Sequence, residues 1–176
     1  MDFVFGEGRP YKRNRFGSVT GTIVEMTPGR VGGGRTNGCI IFVTLEDVNG
    51  NTVLFLVTPS TYVVDFETLS VGMMCTFWYD ADAPMPLIYP PQYNAVAAAQ
   101  EKNGRMVCVG YFNTSLVNEE QTLQLNLDGS VDVRTTNNQY FQGSPANHRL
   151  VVTYDHSTRS IPAQTSPDLI TVFCSD

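Results

Sequence analysis

The chain has 176 residues, 42% hydrophobic and 16% charged, with 15 glycines, 10 prolines and a net charge of −6. That apolar share excludes a disordered chain, and few charges with many Tyr, Phe, Gly and Pro favour strands and turns over helices. The negative balance disfavours broad binding to nucleic acid or to an anionic membrane, and no apolar run reaches the ~18 residues of a membrane-spanning helix.

The chain opens on "MDFVFGEGRP", which begins with an acid and has only a short apolar patch. No signal peptide is expected there, and the expected location is cytoplasmic. "RPYKRNRF" (9–16) follows, a basic arm expected over residues 1–16. Residues 1–38 carry six cations and three acids, so the remaining 138 residues hold a net −9.

Strand signals then come in order. "GSVTGTIVEM" (17–26) alternates Val19, Gly21 and Ile23 against Thr20 and Thr22, the period of a half-buried strand. "GRVGGGR" (29–35) lacks the Lys-Ser/Thr and the helix of a phosphate-binding loop, so it reads as a hairpin loop. "CIIFVTLED" (39–47) and "NTVLFLVTP" (51–59) flank Asn49-Gly50, a tight-turn pair whose residues both accept positive φ. "ETLSVG" (67–72) is placed as a loop or single helical turn. "VGMMCTFWYD" (71–80) alternates Cys75, Phe77 and Tyr79 against Thr76 and Trp78, and "QYNAVAAAQ" (92–100) ends this set.

A second set follows. "GRMVCVGYF" (104–112) is a strand. "TLQLNLDGS" (122–130) puts Leu123, Leu125 and Leu127 on one face and runs into an Asp128-Gly129 turn, from which "VDVRTT" (131–136) returns. "RLVVTYD" (149–155) mirrors "CTFWYD", and "LITVFC" (169–174) closes the set. The expected core is Ile23, Phe42, Phe55, Cys75, Phe77 and Tyr79, then Leu123, Leu125, Leu127, Leu150, Val152 and Tyr154.

Several features recur in order. Asn49-Gly50 answers to Asp128-Gly129, Tyr79-Asp80 to Tyr154-Asp155, and "IYPPQ" (88–92) to "SIPAQ" (160–164). Such repetition points to a duplicated module, and about five short strands per copy point to small barrels. With Asn103-Gly104 as a tight connection, the expected units are 17–103 and 104–176.

Gly-Thr-Ile-Val at 21–24, Leu-Ser-Val-Gly at 69–72, a strand ending in Tyr-Asp and a Pro-x-Gln segment before the last strand form a pattern. It resembles small bacterial OB-like domains of unknown function, which often occur in secreted or lipoprotein chains. The resemblance covers roughly 17–100 throughout and the second half best at 150–164. It implies an all-β fold of two tandem five-stranded OB-like β-barrels and brings no catalytic residue with it.

For function, the expectation is a non-catalytic protein that binds a protein or glycan partner through a barrel face, with Trp78, Gln92 and Gln164 as ligand-binding candidates. Gln92 and Gln164 offer amides that also suit a structural role in satisfying loop backbone, and Trp78 also suits the packing between the two units. The alternative is a single-stranded nucleic-acid-binding protein using Lys12, Arg13 and Arg15 with Tyr11 and Phe16 as stacking rings. An enzyme ranks last, because the sequence shows no nucleophile elbow and no base paired to a nucleophile. No cofactor is expected. No metal site is expected either, since His148 and His156, the only histidines, lack ligand spacing. Cys39, Cys75, Cys108 and Cys174 lie far apart in apolar runs and read as free buried thiols.

Overall fold

A computed structural model describes residues 15–84 and 86–174. The chain is all-β, with 52% strand and 3% helix. β1 (Phe16–Val31) and β2 (Arg35–Glu46) form a long hairpin through a glycine turn, and β3 (Thr52–Val57) continues the meander. The Asn49-Gly50 signal sits in the β2–β3 turn. Gly50 has φ +81, and the Asp47 carboxylate accepts the N–H groups of Asn49 and Asn51 at 2.9 Å. The two-residue β4 (Tyr62–Val63) leads into a 3-10 turn at Val64–Phe66, just ahead of the segment where the sequence places one. β5 (Met74–Asp80) then pairs antiparallel with β1.

The strand expected over 92–100 is broken at Ala95-Val96. β6 (Gln92–Asn94) runs parallel to β3, and β7 (Ala97–Gln100) pairs with β5 and β4. The first sheet therefore has the order β4-β7-β5-β1-β2-β3-β6.

The second part departs further from expectation. β8 (Met106–Phe112) and β11 (His148–Tyr154) are antiparallel, and β13 (Leu169–Phe173) adds to β11. β9 (Leu123–Leu125) and β10 (Asp132–Thr135) do not form a hairpin across Asp128-Gly129. β10 pairs in parallel with β13, while β9 pairs in parallel with β12 (Ala163–Thr165) in a sheet of two. The Asp128 carboxylate instead accepts the Ser130 N–H at 2.9 Å, which closes the turn locally.

The expectation of two tandem five-stranded OB-like barrels is overturned. The seven-, four- and two-stranded sheets have separate edges, and the chain follows about three turns of a β-solenoid. The physical reason lies in short, interrupted strands. The break at Ala95-Val96 sends β6 to β3 and β7 to β5 and β4, far apart in one open sheet, and three-residue β9 and β12 pair in parallel only with each other. The Pro-x-Gln segments are alike locally: Tyr89–Pro90 and Ile161–Pro162 are both cis, and each leads into a parallel pair. The two halves are nonetheless not strand-for-strand copies.

Among the described residues, all strand pairing stays within 16–100 or within 106–173. The halves are joined by side chains. Ile23, Val43, Leu45, Phe55, Cys75 and Phe77 form the first core, and Phe112, Leu123, Leu125, Leu150, Val152, Ile170 and Val172 the last. Between them, Tyr62, Val64, Trp78, Ala97 and Ala99 meet Val109 and Val151. β5 is thus covered on both faces, with Cys75 and Phe77 toward the first core and Trp78 toward this seam. The Thr171 hydroxyl donates to the Tyr62 hydroxyl across the seam at 3.0 Å.

Four core expectations need correction. Phe42 is only half-buried, because its neighbours Val43 and Leu45 face Phe55 and Val53 in the β2–β3 register and fill the core. Leu127 is 39% exposed, since β9 stops at Leu125. Tyr79 and Tyr154 are half-buried at strand ends. All four cysteines are free, but Cys39 and Cys174 are exposed, lying in the outer stretch of β2 and just past β13.

Candidate functional site

A cleft of about 570 Å³ opens where β5 ends and β6 begins, lined by Tyr79, Asp80, Pro84, Pro86, Gln92, Tyr93 and Asn94 among others. Strand alternation places Tyr79 in line with Phe77, and parallel pairing of β6 with β3 sets Tyr93 opposite Phe55. The result is a run of aromatic rings from core to rim. Phe55 and Phe77 lie 5.0 Å apart, Phe55 and Tyr93 5.7 Å, and Tyr93 stacks on Tyr79 at 3.8 Å. Tyr79 leans over Gly17 on the neighbouring strand, where an added Cβ would stand 2.3 Å from its Cζ. Burial, followed by the bond to the Tyr93 hydroxyl, pushes the Tyr79 phenol above its usual pKa.

The loop after β5 is pinned at both ends. Ala81 donates its N–H to Arg15 O at 2.8 Å, the Asp80 carboxylate accepts the Asp82 N–H at 2.9 Å, and Leu54 donates to Pro91 O at 2.9 Å. Between these anchors the prolines keep the segment out of any ladder. Leu87, Ile88 and Tyr89 project outward at 101%, 52% and 87% exposure. Three consecutive exposed apolar side chains beside a cleft are unusual for a surface that meets only water.

The sequence-derived candidates separate. Gln92 is half-buried and lines the cleft. Trp78 is 8% exposed and packs in the seam, beside a different hollow that also contains Thr76, Glu101 and Arg105. Gln164 is exposed, and its groups tie Thr158 and the segment after β9 to its strand. Its carbonyl Oε1 accepts from Asn126 Nδ2 at 3.3 Å, and its backbone exchanges bonds with Thr158. Arg15 is exposed and ion-paired with Asp82 at 3.3 Å, while Lys12 and Arg13 lie outside the described residues. His148 Nδ1 bonds Ala146 O at 2.8 Å. Among the described residues no group of three His, Cys, Asp or Glu side chains could hold a metal ion, and no helix is long and apolar enough to cross a membrane.

The seam hollow is organised by ion pairs. Arg105 contacts Asp65 at 2.7 Å and Glu67 at 3.7 Å, and Lys102 pairs with Glu67. Thr20 and Thr76 share a hydrogen bond of 2.7 Å, and Thr76 donates to Glu101. These groups satisfy one another, so they read as a brace between the β4–β5 loop and the connection at 101–105. By contrast, the described residues that line the cleft include no lysine, arginine, histidine, cysteine or serine. They offer aromatic faces, two amides and one carboxylate, which suits binding and provides no nucleophile–base pair.

Sequence reasoning missed the Tyr79–Tyr93 stack and the Leu87–Tyr89 projection. The signal for the second was present: apolar residues boxed between prolines in "PMPLIYPP" have no ladder to join. The chain matches no protein-family model, no curated protein and no solved structure. The resemblance to bacterial OB-like domains therefore rests on its sequence motifs alone.

Proposed function

We propose that the chain is a non-catalytic binding protein that engages a protein partner through the 81–91 loop and the cleft behind it. The observation that carries this reading is the outward projection of Leu87, Ile88 and Tyr89, with 52–101% exposure, on the loop whose Pro84 and Pro86 line the aromatic cleft. Such side chains contribute affinity when a partner removes them from water, at roughly 25 cal/mol per Å² of apolar surface. The polar rim of Asp80, Gln92 and Asn94 would then fix orientation.

The alternative of single-stranded nucleic acid has less support. Arg15 is engaged by Asp82, and the remainder of the sequence after residue 38 is net negative.

The test is partner capture followed by a binary titration with the purified partner. A triple substitution of Leu87, Ile88 and Tyr89 to Ala should weaken the complex by about a hundredfold or more while leaving the melting curve unchanged, since these side chains touch solvent. A partner that binds the triple variant as tightly as the wild type would refute the reading.

A further inference from the structure

A second site lies on the seam, away from the cleft. A hollow of about 370 Å³ and a neighbouring one of about 630 Å³ share Pro59, Ser60, Thr136 and Asn137, so together they form one groove across the two halves. Three rings run along it. Tyr62 meets Phe66 edge to face at 5.9 Å and Phe173 edge to face at 6.4 Å. Phe66 and Tyr62 belong to the first half and Phe173 to the second, and Tyr62 is fixed by its bond to Thr171.

Phe66 is held there at a conformational cost. Its φ is +52 and that of Asp65 is +59, a region that disfavours bulky side chains. Asp65 is clamped by Arg105 at 2.7 Å. The geometry turns the phenyl ring outward, 58% exposed, at one end of the groove. A ring kept on the surface by a strained backbone contributes little to the core, and such strain gathers at ligand sites.

The rim is polar and uncharged. Ser60 Oγ, Thr136 Oγ1 and Asn137 Nδ2 have no hydrogen-bond partner among the described residues. Glu67, the groove's ionisable carboxylate, is occupied by Lys102 and Arg105. An anionic ligand therefore finds no free cation. An extended peptide finds little free ladder, because β4 has only two residues and the outer side of β10 is taken up by the Arg134–Tyr140 bridge.

We propose that this seam groove binds a neutral oligosaccharide. The exposed ring of Phe66 and the half-buried ring of Phe173 would lie against the apolar C–H faces of two sugar rings, with buried Tyr62 holding both from behind. Ser60, Thr136 and Asn137 would exchange hydrogen bonds with their hydroxyls, so that polar groups desolvated on binding are matched. Sites at the boundary between two packed units commonly take ligands in this way.

The experiment is an array of neutral hexasaccharides (β-glucan, α-glucan, chitin, mannan and xylan types) probed with the full chain, then calorimetric titration with the best binder. At least one hexasaccharide should bind the wild type. Phe66→Ala and Asn137→Ala should each weaken it about tenfold or more, whereas Tyr93→Ala and the Leu87–Tyr89 triple variant should bind as the wild type does. Phe66→Gly should lose affinity equally while melting no lower than the wild type, because glycine accepts the positive φ. That variant separates loss of the ring from loss of fold. Absence of any neutral binder, retention by anionic sugars only, binding unaffected by Phe66 and Asn137, or a groove-dependent peptide ligand would each overturn the proposal. None of these results bears on the 81–91 loop, whose partner is tested separately.

Discussion

The hydrogen bond between Thr171 and Tyr62 offers a direct measure of how the two halves are coupled. Both residues are buried, at 1% and 5% exposure, and the oxygens lie 3.0 Å apart. Thr171→Val keeps the shape and strips the Tyr62 hydroxyl of its donor, which should cost ~1–3 kcal/mol because a buried polar group is left unmatched. Tyr62→Phe should cost a similar amount by stranding the Thr171 hydroxyl. The double variant removes both polar groups and should cost less than the sum of the single ones by about 1 kcal/mol. For a chain of this size each kcal/mol moves the melting temperature by roughly 2–4 °C, so urea and thermal unfolding both resolve the difference. A second readout is spectroscopic. Burial raises the Tyr62 phenol pKa, and the bond from Thr171 opposes that rise. In Thr171→Val the phenol should therefore ionise at still higher pH, as followed by ultraviolet absorbance. Single-variant costs that simply add, within the ~0.3–0.5 kcal/mol typical of independent sites, together with an unmoved phenol titration, would refute this account of the seam.

Phe77→Ala should cost ~3–5 kcal/mol in chemical denaturation, because its fully buried ring packs at 5.0 Å on Phe55 and leaves a cavity. Gly21→Ala should destabilise by ~1–3 kcal/mol, since the new Cβ would stand 2.5 Å from the Glu46 carbonyl oxygen, which belongs to the backbone. Gly17→Ala should cost less and should disturb the Tyr79 ring, visible in near-ultraviolet circular dichroism. Burial pushes the thiols of Cys75 and Cys108 up to about 11 and about 12, so a thiol reagent at neutral pH should label exposed Cys39 and Cys174 in the native chain and all four after unfolding. The same shifts set a pH dependence. Above the ordinary thiol value of 9.0 the unfolded chain loses protons that the native one keeps, so these thiols' contribution, complete below that value, should fall away as pH rises toward 11 to 12. Alkaline melts of a Cys75→Ala, Cys108→Ala double variant should show a shallower decline.

Local signals in the sequence located most strands and two turns, Asn49-Gly50 and Asn103-Gly104, correctly. Alternation found Ile23, Phe55, Cys75, Phe77, Leu123, Leu125, Leu150 and Val152, all buried, because period-two burial is a property of each strand alone. Asn49-Gly50 marked its turn because positive φ is a local demand. Within the continuous apolar run "CIIFVTL" the period gives no phase, and Phe42 was placed on the core side where Val43 and Leu45 stand. Gln92, a ligand-binding candidate from the repeated Pro-x-Gln segment, lines the cleft, and the Tyr93–Tyr79 stack beside it needs β6 to run parallel to β3 while β5 pairs with β1. Asp128-Gly129 looked like a second hairpin, but β9 and β10 take partners 40 and 37 residues further along the chain.

The sequence by itself determined the strand-rich character of the chain, the sides of most strands and the placing of Pro90 and Pro162 outside ladders, since each follows from the covalent geometry of a few neighbouring residues. The tertiary structure alone decided which strands pair, that the sheets stay open, that Trp78 serves the seam and that Phe66 stands outward over a groove shared by both halves. Those outcomes depend on contacts between residues far apart in sequence, and the free energy that selects them comes from shared burial and matched hydrogen bonds, to which no single segment holds the key.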